Sequence, residues 1–232
     1  MQAHIDQLLA FSANDRDAIV AAKAEYFART GGEVHEDDRS FEQRMQGFFN
    51  WFLFDHKGPS GLTPVQRYLQ ERGAQVGGLD KELLLGATQS RLSLFEFRGR
   101  TALIRRVPKG CVRVRDVFTG DDFDVVEKRP LLGIENGDLM EARLIPAGAA
   151  HHFSTSFLYH PREARAALLK EVKRRRKSVA TLDPREFCWE ISKMALQAER
   201  FRNVPLSAIY NFETPCLGHK RAPTPADGIR NG

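Results

Sequence analysis

The sequence has no long apolar run. Its longest aromatic cluster, residues 48–54, is interrupted by Asn50 and ended by Asp55. Since a helix that spans a bilayer needs roughly 20 predominantly apolar residues in succession, we expect no membrane insertion. The first residues also lack the basic segment and the apolar segment of a secretory signal. Both absences favour a cytoplasmic protein.

Cysteine, glycine and proline are too sparse for several protein classes. The 232 residues include three cysteines, 18 glycines and 11 prolines. Cys111, Cys188 and Cys216 are an odd number at wide spacing, which fits reduced thiols better than a disulfide framework. The absence of a Gly-x-y period excludes a collagen-like chain. With 42% hydrophobic and 28% charged residues, the composition is that of a globular protein of one or two domains.

The common catalytic motifs are missing. The chain has no Gly-x-Ser-x-Gly, no His-Glu-x-x-His and no phosphate-binding Gly-x-x-x-x-Gly-Lys-Ser/Thr. Asp55 and His56, which follow an aromatic helix, are the remaining candidates for an acid–base pair. An enzyme of this kind would have a deep pocket there, with Arg67 or Tyr68 on its rim.

Metal-ligand spacing is also missing. His151 and His152 are adjacent in a strand-type segment, so their side chains point to opposite faces of the strand. Cys216 and His219 supply at most half of a zinc site. We therefore predict no metal site and no cofactor.

The spacing of apolar residues in the first third is helical. In residues 1–91, apolar side chains recur at intervals of three and four, which predicts several helices. Ser12 and Asp80 are the expected caps of two of them. The central helix begins near Phe41 and contains the aromatic cluster of residues 48–54. Its wide apolar face favours burial in the core, and an exposed groove for a partner is the alternative.

The period changes to two near Arg91. Residues 92–160 contain five or six short β-type segments separated by glycine turns. We predict an α+β fold in which the N-terminal helical layer packs on a small antiparallel β-barrel of the OB or SH3 type. A flat three-stranded sheet on the helices is the alternative. Residues 161–210 return to helix, and residues 211–232 are expected to form a flexible tail.

Four segments carry a resemblance to other proteins. They read FNWFLFD at residues 49–55, LTPVQRYL at 62–69, SLFE at 93–96 and VRDVFTG at 114–120. In these segments the chain resembles a group of uncharacterised bacterial proteins that often carry a SEC-C-type zinc tail. The resemblance implies no particular activity. The tail motif itself is absent, because Cys216-Leu217-Gly218-His219 has no second ligand pair.

Positive charge concentrates in the last third. Residues 161–232 hold 15 Lys or Arg against 8 Asp or Glu, whereas residues 1–98 hold 11 against 14. Such a surface attracts an acidic protein or nucleic acid. A solvated helix end, where cations favour the helix dipole, is the simpler interpretation. The candidate partner-binding residues lie on one predicted helix: Arg162, Arg165, Lys170, Lys173, Arg174, Arg175, Arg176 and Lys177.

A second basic set lies in the first strands. OB-like barrels hold single-stranded nucleic acid on a basic strand face that also exposes stacking aromatics. A two-residue turn at Thr119-Gly120 would place Arg115 opposite Asp124 as a cross-strand ion pair. The remaining members of the set are Arg98, Arg100, Arg105, Arg106, Lys109 and Arg113.

These patterns predict a non-catalytic cytoplasmic binding or adaptor protein with a regulatory role, whose basic helix engages an acidic partner. Nucleic-acid binding through the helix and the Arg-rich strands is the first alternative, and an enzyme near Asp55 and His56 is the second. A protein partner would also use apolar surface, for example exposed edges of Phe187, Trp189 or Phe201. The oligomeric state is left open.

Overall fold

The computed structural model describes residues 2–13, 15–100, 110–127, 133–148, 150–178 and 183–213. In this part of the chain, five helices precede a five-stranded sheet and three follow it. The helices are α1 (Gln2–Ser12), α2 (Arg16–Thr30), α3 (Phe41–Phe54), α4 (Pro64–Arg72), α5 (Gly78–Ala87), α6 (Arg165–Ser178), α7 (Pro184–Arg200) and α8 (Leu206–Ile209). The strands are β1 (Arg91–Arg100), β2 (Cys111–Asp116), β3 (Asp122–Val126), β4 (Leu139–Ala147) and β5 (Ala150–Tyr159). The mixed α+β class is confirmed.

Neither of the two expected N-terminal caps, Ser12 and Asp80, is the cap of a helix in the structure. Ser12 is the last residue of α1, a helix that the sequence analysis missed, and Asp15 caps α2 by accepting from the amide of Ala18. The cap of α5 is Gly77, so Asp80 lies within its first turn. The central helix α3 is buried as predicted, since Phe48 and Phe52 are at most 5% exposed.

The sheet closes on itself. Its strand order is β1-β2-β3-β5-β4, and β1 pairs with both β2 and β4 to complete a closed barrel. This closure excludes the flat three-stranded alternative. The expectation of an antiparallel barrel needs a correction, because β3 and β5 run parallel through the pairs Val125–His151 and Val126–His152. The other four pairings are antiparallel.

The hairpin between β2 and β3 has a longer turn than predicted. Arg115 lies opposite Asp122, and Arg113 lies opposite Asp124. The predicted pairing of Arg115 with Asp124 is therefore wrong. The carboxylate of Asp116 accepts hydrogen bonds from the amides of Phe118 and Thr119, at 2.8 and 3.2 Å. These bonds stabilise a four-residue loop, residues 117–120, that begins two residues before the predicted two-residue turn and ends at the same residue, so the register shifts by two residues.

Three helices pack directly on strands at the outer surface of the barrel. Helix α3 packs on β5, α5 packs on β4, and α7 packs on β1. The barrel interior is filled by apolar side chains of alternating strand positions, including Phe95, Val114 and Met140. One further core lies under α6 and α7, and another joins α1 to α5 to the outside of β4. The outer face of β4 is thus buried under helices.

Some expectations fall outside the described residues. They concern the strand around Leu103, the basic residues Arg105, Arg106 and Lys109, and the tail from residue 214 onward. Among the helices that the structure describes, none combines the length and the apolar character needed to cross a bilayer.

Candidate functional site

Helix α6 is attached to the rest of the molecule by its apolar side and by two arginines at and just before its N-terminus. Leu168 and Val172 are at most 2% exposed and pack in the core under α7. Before the helix begins, the guanidinium of Arg162 donates to both carboxylate oxygens of Asp138, at 2.7 and 3.0 Å. Arg165 donates to Glu96 of β1 at 2.7 Å. These two arginines therefore fasten α6 to the barrel.

The electrostatics of this attachment follow from the same contacts. The hydrogen bond from Arg162 holds the pKa of the Asp138 carboxyl below its ordinary value, although partial burial acts in the opposite direction. Because Asp138 and Glu96 neutralise them, Arg162 and Arg165 present little free charge to a partner. Arg162 and Arg165 are therefore removed from the set of candidate partner-binding residues.

A second ion-pair group lies in the middle of α6 around Glu171. This carboxylate is 4% exposed and accepts from Arg174 and from Arg175, at 2.6 Å in each case. Burial raises the pKa of Glu171, but the bonds from the two arginines outweigh burial and leave the pKa below its ordinary value. Arg175 also pairs with Glu190 and lies over the Phe187 ring at 4.9 Å. Arg175 therefore belongs to the packed side of the helix.

The opposite side of α6 carries exposed cations at helical spacing. We call these residues the cationic stripe; they are Lys170, Lys173, Arg174, Arg176 and Lys177, all exposed. Positions 170, 173, 174 and 177 lie on one face of a helix, and position 176 lies beside them. Lys170 approaches Glu213 at 3.3 Å, but both side chains are more than three-quarters exposed to water. Within the described residues, Lys173, Arg176 and Lys177 form no ion pair.

The described members of the second basic set are paired with carboxylates of the same strands. Arg113 forms two hydrogen bonds with Asp124, each at 2.8 Å, and Arg98 lies 3.2 Å from Glu96, which also binds Arg165. Arg115 is paired in the same way with Asp122, at 2.9 Å. Only the backbone of Arg100 is described. The outer face of β2 and β3 is therefore a ladder of matched charges.

Asp55 and His56 do not form an acid–base pair. The Asp55 carboxylate is bound by the buried guanidinium of Arg143 and lies 3.6 Å from Arg185. His56 stacks on Phe52, with ring centroids 5.8 Å apart. The cavity beside His56 has about 60 Å³ and is lined by Arg67 but not by Asp55. The deep pocket that the enzyme interpretation expected is not present at this loop.

Two of the three apolar residues expected to reach a partner are buried instead. Phe187 is 0% exposed and Trp189 is 8% exposed, whereas Phe201 is 47% exposed. Phe187 lies on the inner side of α7, where it stacks with Phe212 and contacts Phe118. This correction leaves Phe201 alone of the three as a surface residue.

The structure also contains a polar cavity that the sequence analysis missed. It has about 40 Å³ and lies between α3, α7 and the outer face of β4. Glu141 and Arg143 of β4 belong to its lining, and both are at most 7% exposed. The sequence pattern singles out neither residue, because it does not tell which helices will cover that face of the strand.

Glu141 is the centre of a buried hydrogen-bond network at this cavity. Its carboxylate accepts from the hydroxyl of Ser192 at 2.8 Å and lies 3.0 Å from Nε2 of His160. The other ring nitrogen of His160 lies 3.1 Å from the hydroxyl of Tyr210. Burial, and secondarily the charge of Glu141, raise the pKa of Tyr210 well above its ordinary value. The network joins β4, β5, α7 and α8, and its groups are paired with one another.

Metal binding receives no support from the described residues, which hold no group of three or more His, Cys, Asp or Glu side chains able to bind an ion together. Cys216 and His219 lie outside them. Cys111 and Cys188 are both buried and reduced, and burial raises the pKa of each thiol. Neither is therefore set up as a reactive thiolate.

Comparison with known proteins gives one match. A family model described as a family of unknown function (DUF7986) matches residues 9–188. No curated protein matches the chain, and no solved structure does. The matched range contains the barrel, α6 and the first residues of α7, so it includes the cationic stripe.

Proposed function

The chain belongs to this family of unknown function. We propose that it is a non-catalytic binding protein that docks an acidic protein partner on the cationic stripe. The proposal develops the expectation from charge distribution. Five of the eight candidate cations are exposed on α6, and one of these five, Arg174, is paired with Glu171.

One observation carries the proposal. Lys173, Arg176 and Lys177 are exposed within five residues of one another, and no described carboxylate pairs with them. Like charges three and four positions apart on a helix repel one another. An acidic partner surface would relieve this repulsion, and complementary charge would also steer the encounter.

Nucleic acid is the weaker candidate for the acidic partner. Proteins that hold single strands combine a basic groove with exposed aromatics on which bases stack. The outer face of β2 and β3 instead carries the neutral pairs Arg113–Asp124 and Arg115–Asp122. Among the candidate cations whose side chains the structure describes, those left for a phosphate backbone lie on the stripe.

Finer points of classification accompany the proposal. We infer an OB-type barrel rather than an SH3-type one, and the five-stranded closed order with a parallel β3–β5 pair supports this assignment. The reduced state of Cys111 and Cys188 agrees with a cytoplasmic location. The regulatory role and the likeness to bacterial proteins with SEC-C-type tails stay predictions.

The test uses defined polyanions and two variants of equal charge. The stripe variant combines Lys173→Gln, Arg176→Gln and Lys177→Gln. The control variant combines Arg16→Gln, Arg72→Gln and Lys81→Gln, three exposed cations on other helices. Fluorescence anisotropy would measure binding of labelled poly-glutamate and of a 20-base-pair DNA duplex to each protein over a range of salt concentrations.

We expect the wild type and the control variant to bind poly-glutamate equally well. The affinity of the stripe variant for poly-glutamate should be lower by about tenfold or more. Equal losses in both variants would mean that net charge alone matters and would refute a local docking face. Preferential binding of the duplex, with a salt slope that falls by about 0.9 for each cation removed, would replace the protein partner by nucleic acid. Absorbance at 260 nm that high salt removes from the purified protein would point the same way.

A further inference from the structure

The polar cavity under β4 adjoins a larger groove at the surface. The groove has about 370 Å³ and lies between the end of β5, the start of α3 and α7. Cavity and groove share three lining residues: Gln43, Arg44 and Leu158. The cavity therefore adjoins the inner end of the groove.

The inner end has unused hydrogen-bonding capacity. Three buried atoms of cavity-lining side chains have no hydrogen-bond partner: Oδ1 of Asn50, Nε of Arg143 and Nε1 of Trp189. Two of them are donors and one is an acceptor. Buried polar atoms in folded proteins are almost always paired, so three orphans on residues from three elements around one cavity indicate that something else completes the set.

The charges at the inner end already balance. Arg143 is bound by Asp55, and its own Nε is the orphan atom. Arg44 is 5% exposed and donates to Ser40, to the carbonyl of Thr30 and to that of Ser192. Glu141 lines the same cavity as Arg44. Two buried guanidinium groups are thus accompanied by two carboxylates, and a further ion would remain uncompensated in a buried place.

The outer end is mainly apolar. Phe157 and Tyr159 lie parallel, with ring centroids 6.2 Å apart, and Tyr159 is 44% exposed. Pro161, Ala195 and Leu206 complete this part of the groove. The groove is thus mainly apolar, although Arg39 and Glu199 also line it, and the side chains with orphan polar atoms belong to the cavity at its inner end.

We propose that cavity and groove together bind a neutral amphipathic small molecule with a primary amide as its head group. The carbonyl oxygen of the amide accepts from Nε of Arg143 and Nε1 of Trp189, and its NH₂ donates to Oδ1 of Asn50. A cavity of about 40 Å³ has room for about three water molecules, which matches a head group of that size. The hydrocarbon part lies along Phe157 and Tyr159.

The chain carries its own reporter for this site. It has two tryptophans, Trp51 and Trp189, and both line the cavity. Titration with hexanamide should therefore give a saturable change in tryptophan emission. Hexanoate, which has the same hydrocarbon chain but a charged head, should bind about tenfold more weakly or worse at pH 7.

Two variants separate binding from folding. Ala195→Phe fills the groove outside the core, and Ala21→Phe makes the same change on an exposed face of α2. We expect the first to abolish the hexanamide response and the second to leave it unchanged. The stripe variant should also respond like the wild type, because the site does not use α6.

Three results would overturn the proposal. They are the absence of a saturable response to hexanamide, an undiminished response in Ala195→Phe, and hexanoate binding as tightly as hexanamide. A crystal structure soaked in hexanamide that shows only ordered water at the three orphan atoms would count equally against it.

Discussion

The buried ion pair between Arg143 and Asp55 gives the sharpest stability prediction. Arg143 is 2% exposed, and its two terminal nitrogens donate to Asp55 and to Ser90. Replacing Asp55 by alanine leaves a guanidinium buried beneath Phe54 and Ser90 without a carboxylate. Breaking a buried pair in this way costs about 3–5 kcal/mol.

The reverse substitution should cost less. In Arg143→Met, the Asp55 carboxylate keeps Arg185 within 3.6 Å, and that side chain is 45% exposed and free to move closer. Methionine also has nearly the length of the arginine stem, so it fills most of the space. The double variant should be less destabilised than Asp55→Ala alone, because no uncompensated charge then stays buried.

Urea denaturation followed by far-UV circular dichroism would measure the free energy of unfolding of all four proteins. For a chain of this length, a loss of 3–5 kcal/mol corresponds to a fall in Tm of roughly 6–20 °C. A cost below about 1 kcal/mol for Asp55→Ala, or strict additivity of the two substitutions, would refute the role assigned to the pair.

Two further predictions concern close packing and acid stability. Gly86→Ala should destabilise the protein by about 1–3 kcal/mol despite the better helix propensity of alanine, because an added Cβ would lie 1.6 Å from the carbonyl oxygen of Pro146. Lys81→Ala on the exposed side of α5 is the control. Equal Tm values for the two variants would contradict the packing argument. The hydrogen bonds from Arg200 lower the pKa of Asp38 to about 2, against an ordinary value of 3.8. Their contribution to stability is therefore complete above about pH 4 and disappears as the pH falls toward 2, so Asp38→Asn should flatten the acid-unfolding curve in that range.

Local patterns in the sequence predicted the elements better than their contacts. The spacing of Phe41, Phe48 and Phe52 indicated a buried helix, and the period-two segments indicated strands, because both signals depend on neighbours in the chain. The hairpin register was wrong since it depends on the side chain of Asp116, whose hydrogen bonds extend the turn.

The candidate sites depended more strongly on distant contacts. Arg162 and Arg165 looked like free cations, but Asp138 and Glu96, more than twenty residues away, neutralise them. The polar cavity was missed for a related reason. Glu141 and Arg143 occupy alternate positions of a strand, and only the packing of α3 and α7 buries that face. The burial of Glu141 and Arg143 can therefore be recognised only when the positions of these helices are known.

The arrangement of charge along α6 separates structural cations from those available for docking. Cations in the last turn of a helix favour its dipole, which accounts for Arg176 and Lys177 without any partner. The same effect does not reach Lys170 and Lys173, which precede the last turn of a helix that ends at Ser178. Glu171 binds Arg174 of the stripe as well as Arg175 of the packed side. The proposed acidic partner would account for the remaining four cations of the stripe, whereas the dipole accounts only for Arg176 and Lys177.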